Sequence, residues 1–219
     1  EILRPTGAGT YTQQDTQYPA SGAHWDKVDE ITPDEDTTYV AKTTYTAGVG
    51  QYDTFQMQNR SLGSGLITSV KVYARMKQTG DINIADVAGT VLITYGVVYH
   101  STDHTLTADY ADYSETHNVN PETLLPWTWE EIDALEAGVY FFHTGTSEQH
   151  CTQVWIEVTY GGSSTLSYIW QETTKLHWID ENGAEQSKEG SLVAAGSNPK
   201  GTLWLESALG SGYFHYIDE

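Results

Sequence analysis

The sequence predicts an all-β fold, an antiparallel sandwich with one short helix, followed by a small C-terminal β-hairpin repeat region. Three observations lead there. Segments of alternating polarity fill most of residues 1–160, and turn-forming residues punctuate them. A single capping box marks the only helix. Near the end of the chain, Leu176-His177-Trp178-Ile179-Asp180-Glu181 returns 38 residues later as Phe214-His215-Tyr216-Ile217-Asp218-Glu219.

The first clear strand is expected over 52–59. In 67–77, Val70, Val72, Ala74 and Met76 point one way and Lys71, Tyr73, Arg75 and Lys77 the other, the period of two of a half-buried outer strand of the sandwich. Residues 90–100 are almost continuously apolar and read as a central strand, and 106–118 as another. The helix follows. Thr128 is placed as its N-cap, with Glu131 three residues on to complete the box. Trp127 and Ile132 are spaced as a hydrophobic staple, and Gly138 is placed to end the helix. Its Ile132 and Leu135 side packs against one end or edge of the sandwich. The run 152–160 repeats the strand logic, with Val154, Ile156, Val158 and Tyr160 opposite Gln153, Trp155, Glu157 and Thr159. Alternation and turn chemistry of this kind select a jelly-roll sandwich for residues 1–160.

Gly161-Gly162-Ser163-Ser164 then reads as a flexible linker over 161–164. Residues 165–219 form the repeat region, in which Ser164-Thr165-Leu166 and Gly201-Thr202-Leu203 lead into the two motif copies. Asn182-Gly183 favours a type I′ hairpin, and Gly196 to Pro199 reads as a turn. The second motif stops where such a hairpin is due, so the sequence is expected to belong to a longer polypeptide. Leu176, Trp178, Ile179, Leu203, Trp204, Phe214, Tyr216 and Ile217 are too many apolar groups for so short a segment to cover alone. They predict assembly with other copies, a homo-oligomer of preferred three-fold symmetry.

Thirty acidic and ten basic residues give a net charge of −20, with no basic run to neutralise a phosphate backbone. Nucleic acid is therefore not an expected partner, nor is membrane insertion, since no apolar run approaches the roughly 18 residues of a span. The first residues are neither a signal peptide nor an initiator Met. The lone Cys151 is expected buried at the start of a strand. Fifteen Tyr and seven Trp against four Phe favour surfaces that are apolar on the ring and wet at the tip, as in sugar contacts and subunit interfaces.

Candidate chemistry is sparse. Neither a GxSxG elbow, nor HExxH, nor a phosphate loop is present, and Gly63-Ser64-Gly65 and Gly210-Ser211-Gly212 read as turns. No enzymatic activity is expected and no cofactor is required. His100 with His104, and His143 with His150, flank loops, while His177 and His215 belong to the repeat. The acidic stretch 26–36 is the best place for a calcium ion, with Glu30, Asp34 and Asp36 as ligands, although it lacks the order of an EF-hand loop. For sugar binding, Trp25, Trp127, Trp129, Tyr110 and Tyr113 offer flat rings near loops and strand ends, and Asp26 is an acceptor for hydroxyls.

The order of motifs over residues 3–160 resembles a recurrent module of tailed-virus virion proteins and related secreted bacterial and archaeal proteins. Leu3-Arg4-Pro5-Thr6-Gly7, Trp25-Asp26-Lys27-Val28-Asp29-Glu30 and Ile67-Thr68-Ser69-Val70-Lys71-Val72-Tyr73 carry the resemblance in the first half. Trp127-Thr128-Trp129-Glu130-Glu131-Ile132 and Thr152-Gln153-Val154-Trp155-Ile156 continue it. The HxIDE units resemble short repeats of phage tail fibres. The resemblance implies a β jelly roll similar to carbohydrate-binding domains, and it transfers no catalytic signature. The expected role is a structural virion surface protein, as fibre, spike, turret or decoration, with host-glycan binding and other virion or surface proteins as partners. A cellular surface adhesin or extracellular filament subunit is the first alternative, and a carbohydrate-binding module of a secreted glycan-active enzyme the second. The expected location is the virion surface or the extracellular space.

Overall fold

The computed structural model describes residues 1–44, 50–63, 65–80, 86–142 and 147–161 in full, together with the backbone of six strands between residues 169 and 216. The chain divides into two compact units, Glu1–Gly161 and Gly162–Glu219.

Among its described residues the first unit holds eleven strands and one α-helix. In order they are β1 (Ile2–Leu3), β2 (Pro5–Thr12), β3 (Thr16–Tyr18), β4 (Tyr39–Lys42), β5 (Gln51–Met57) and β6 (Ile67–Thr79). Then come β7 (Val87–Thr94), β8 (Val97–His100), β9 (Ala111–His117), α1 (Trp129–Ala134), β10 (Glu136–Phe142) and β11 (Glu148–Tyr160). One sheet runs β3-β4-β11-β6-β9, with β1 also on β11, and the other runs β2-β5-β10-β7-β8. All pairings in this unit are antiparallel. The sheets share one core, in which Val70, Val72, Val154 and Ile156 of the first meet Phe55, Leu92, Val139 and Phe141 of the second. The first unit is a β sandwich.

The two long strands follow the alternation in the sequence. Val70, Val72, Ala74 and Met76 are buried, as are Val154, Ile156 and Val158, and Tyr160 packs against the core. β6 lies between β11 and β9 and so is bonded on both edges. It is half-buried because only one face meets the core, and it is not an outer strand. In β11 the register shifts between Cys151 and Gln153. The extra residue is Thr152, and this bulge lets Cys151 and Val154 both face the core.

Three boundaries differ from the sequence reading. The run 90–100 is not one strand but the hairpin β7–β8, turned at Tyr95 and Gly96, whose φ values of 52° and 77° are those of a type I′ turn. A tyrosine in the first position hid the turn. The run 106–118 begins pairing with β6 only at Ala111, although Gln78 N–H donates to the Thr107 carbonyl. Helix α1 stops at Ala134, with Leu135 already extended. Gly138 lies within β10, where an added Cβ would sit 1.9 Å from the Asp53 carbonyl oxygen of β5. This glycine permits close strand approach and does not cap the helix.

In the second unit, β12 (Ile169–Glu172), β13 (Lys175–Ile179) and β14 (Glu185–Glu189) form one antiparallel sheet. Strands β15 (Leu192–Ala194), β16 (Leu203–Glu206) and β17 (Tyr213–Tyr216) form another, parallel at β15–β16 and antiparallel at β16–β17. The first motif copy thus runs along β13 and the second along β17. Asn182-Gly183, the turn at 196–199 and Ile217 lie outside the described residues.

Candidate functional site

The segment between β3 and β4 carries most of the candidate residues. It enters through Gly22, at φ +92°, where a side chain would meet the Asp26 carboxylate at 2.6 Å and Lys27 Nζ at 3.0 Å. A short 3₁₀ turn follows over His24–Lys27. The turn buries Lys27 and pairs it with Asp26 at 2.9 Å. Trp25 projects half-buried and packs against the core.

Trp25 is the wall shared by two surface depressions. One, of about 530 Å³, also has Thr12, Asp15, Gln17, Gly22 and His24 in its lining. The other, of about 610 Å³, is bounded by Ile2, Arg4, Asp29, Ile31 and Gln58. Beneath the first, Asp53 of β5 is completely buried. Its Oδ1 accepts from the backbone of Gln13 at 2.6 Å and Gln14 at 2.9 Å, and its Oδ2 faces His24 Nδ1 at 2.5 Å. Asp15 at the rim is held far below the ordinary carboxylate range. Burial opposes this, but bonds from Thr44, Lys42 and the backbone of Thr43 outweigh it.

The acidic stretch is fastened along the edge of the first sheet, with Val28 in the core and residues 31–33 exposed. Val28 carbonyl accepts from Val154 N–H and fills the edge of β11 between β4 and β1. Gln153 and Arg4 both donate to the Glu30 carbonyl. Arg75 ties down Glu35 at 2.7 Å and Asp112 at 2.9 Å, and Lys77 takes Asp36 at 2.5 Å. Of the three expected calcium ligands, Glu30 and Asp34 converge on the Thr38 hydroxyl, at 2.6 and 3.0 Å. Burial raises the Glu30 carboxyl above its ordinary range. Asp36 points elsewhere, to Lys77 and the Tyr110 hydroxyl. Among the described residues, no group of three or more histidine, cysteine or carboxylate side chains is arranged to hold a metal.

The other predicted rings separate. Trp127 is 3% exposed and donates its indole N–H to the His117 carbonyl at 3.0 Å, so its faces belong to the core that it shares with Ile132. This corrects its assignment to a ligand. Tyr113 also turns inward from β9, packing on the core with its ring 5.2 Å from that of His104. Tyr110, on the opposite face, lies under Lys77 Nζ at 4.4 Å. Burial, and then the Asp36 carboxylate, push its hydroxyl pKa far up. Trp129 is half-buried, edge-on to Tyr160, with Arg60 over its ring and its indole N–H on the Gly65 carbonyl. Asp26 is half-exposed but committed to Lys27. Trp25 borders two depressions of a size that holds small ligands, whose sites run to roughly 300–1,000 Å³.

Sequence reading missed His24, Gln17 and Asp53. Nothing local marks them, because His24 and Asp53, 29 positions apart, are brought together only by the pairing of β2 with β5 and the turn at His24. It also missed a ring cluster on the outer face of the first sheet, where Tyr73 and Trp155, cross-strand neighbours, stack at 4.7 Å. Their outward positions were legible, but their pairing required the register. Cys151 is buried as expected, and burial raises its thiol far above the ordinary range. His143 and Ser64 lie outside the described residues.

No family model matches the chain. No curated protein matches it in sequence.

Proposed function

We propose that this protein is a non-enzymatic structural component of a virion surface, a fibre, spike, turret or decoration protein, whose sandwich is a jelly roll that binds a host glycan beside Trp25. The observation that carries the binding reading is the placing of Trp25, a half-buried ring between two depressions. The ring packs against the core and lines both depressions, and stacking on a pyranose is a use to which aromatic rings on rigid β scaffolds are suited. The acidic surface suits an exposed extracellular location, and the motif order along residues 3–160 supports the virion setting.

A glycan array probed with the full chain tests the reading. We expect binding that Trp25→Ala abolishes while the melting temperature is retained, and that Trp129→Ala leaves in place. Equal binding by the parent chain and Trp25→Ala overturns the site. Neighbouring genes distinguish the settings: capsid, portal or tape-measure genes support the virion, whereas a glycosidase domain in the same reading frame supports the carbohydrate-binding module of an enzyme.

A further inference from the structure

We propose that His24 is the polar anchor of the Trp25 depression, that buried Asp53 fixes which ring nitrogen meets the ligand, and that the ligand is a neutral sugar. The inference rests on the glycan-binding reading above and deepens it.

A carboxylate only accepts, and both Asp53 oxygens are engaged, Oδ1 by two backbone amides and Oδ2 by His24 Nδ1. Nδ1 must therefore carry a hydrogen. In the neutral ring this leaves Nε2 as the acceptor, the same logic by which an outer carboxylate orients a metal-binding histidine. The His24 side chain is 18% exposed and lines the depression, and its Nε2 is bonded to no other described residue.

Gln17 stands in the same lining. It donates its amide N–H to the Gly22 carbonyl, which fixes the amide plane with Oε1 turned away from solvent. Thr12, Asp15, Thr16 and the Trp25 ring also line the depression. A fixed histidine acceptor beside an aromatic face selects a ligand that offers hydroxyl hydrogens and an apolar ring face, as a pyranose does.

Charge narrows the choice. The nearest cations are already spent, Lys27 on Asp26 and Lys42 on Asp15, each at 2.9 Å. No free positive group remains in the lining to meet a carboxylate or sulfate, and the surrounding carboxylates repel one. Sialylated and sulfated sugars are disfavoured, and neutral ones remain.

The test uses the full chain, a glycan array holding neutral, sialylated and sulfated glycans, and long-range ¹H–¹⁵N spectra of the histidine rings. We expect neutral glycans alone to bind. His24→Ala should weaken the best of them at least tenfold, with His24→Gln recovering part of the loss. Because His24→Ala strands a buried carboxylate and can unfold the chain, the parent protein supplies an independent readout. Its His24 ring should show the Nδ1–H tautomer, and titration with the neutral glycan should move the Nε2 resonance. An Nε2–H tautomer, an unmoved Nε2, or undiminished binding by folded His24→Ala overturns this inference while Trp25→Ala still reports on the site. Binding confined to sialylated or sulfated glycans also overturns it. If no glycan binds the parent chain, both readings fall.

Discussion

Asp15 draws two β-strand ends together with one carboxylate. It accepts from Lys42 at 2.9 Å, from the backbone of Thr43 and Thr44 at 2.9 and 3.0 Å, and from both threonine hydroxyls. A carboxylate held below its ordinary range stabilises the fold fully above its unfolded pKa of about 4, and this stability is lost as pH falls toward the folded value. His117 and His150 add slopes of the same sign. Burial holds both rings below the ordinary histidine range against the pull of Glu115 and Glu148, so the unfolded chain takes up protons first on acidification. Urea midpoints measured from pH 7 to pH 3 should fall throughout, and Asp15→Asn should be less stable than the parent at pH 6 yet flatter below pH 4. A parallel pair of profiles would show that the Asp15 network carries no pH-dependent stability. Residues of this kind were invisible in the sequence, because one acid among thirty gains meaning only when Lys42, Thr43 and Thr44 close around it. Trp25 was legible because large amphipathic rings announce themselves by type.

At the level of elements, α1 was the most explicit signal in the chain. Thr128 Oγ1 accepts from Glu131 N–H at 3.2 Å, and Glu131 Oε2 accepts from Thr128 N–H at 2.8 Å, the reciprocal pattern that the spacing predicts. Thr128→Ala should cost about 1 kcal/mol in a denaturation experiment, with Thr128→Ser near neutral. A cost below a few tenths would mean that packing of Ile132 and Leu135 alone holds the turn. Strand β6 and the half of β11 from Val154 onward were equally readable, since period-two alternation leaves a single core-facing side, whereas residues 149–153 of β11 are buried throughout. The β7–β8 turn was not readable, because the usual Asn-Gly signal is replaced by Tyr95-Gly96. The fastenings of the stretch 26–36 were not readable. Its acids stand close together in sequence, whereas the partners that hold Glu35, Asp36 and Asp34, namely Arg75, Lys77 and Thr152, come from distant strands.

For the whole molecule, the open question of physical consequence is how the second unit satisfies its apolar residues. We propose that Leu176, Trp178, Ile179, Leu203, Trp204, Phe214 and Tyr216, on β13, β16 and β17, join copies of the chain into a closed trimer. Closure removes free strand edges, and among the described residues β12, β14, β15 and β17 are the outer strands of their three-stranded sheets. Light scattering should give three times the chain mass for residues 1–219 and a single chain mass for residues 1–161. A full-length monomer would overturn the trimer. The architecture of the sandwich was legible from sequence because its core is one contiguous set of alternating residues. Assembly is expected only from a surplus of apolar groups in the sequence, which carries no geometry.

One feature of the sandwich bears on how it carries load. The amino group of Glu1 donates to the Val158 carbonyl, Val158 N–H donates back to Glu1, and Gly161 N–H reaches the Leu66 carbonyl. The two ends of the unit thus lie side by side on β1 and the end of β11, which run antiparallel. Tension applied between residues 1 and 161 therefore opens these hydrogen bonds one after another, like a zip, instead of shearing them together. Optical-trap extension through those two points should release β1 as an early, low-force step before the sandwich yields, and a single high-force rupture would contradict it. A body attached in this way is mechanically weak as a link in a chain under tension and durable as a pendant, the mounting suited to a part that meets a surface at its side.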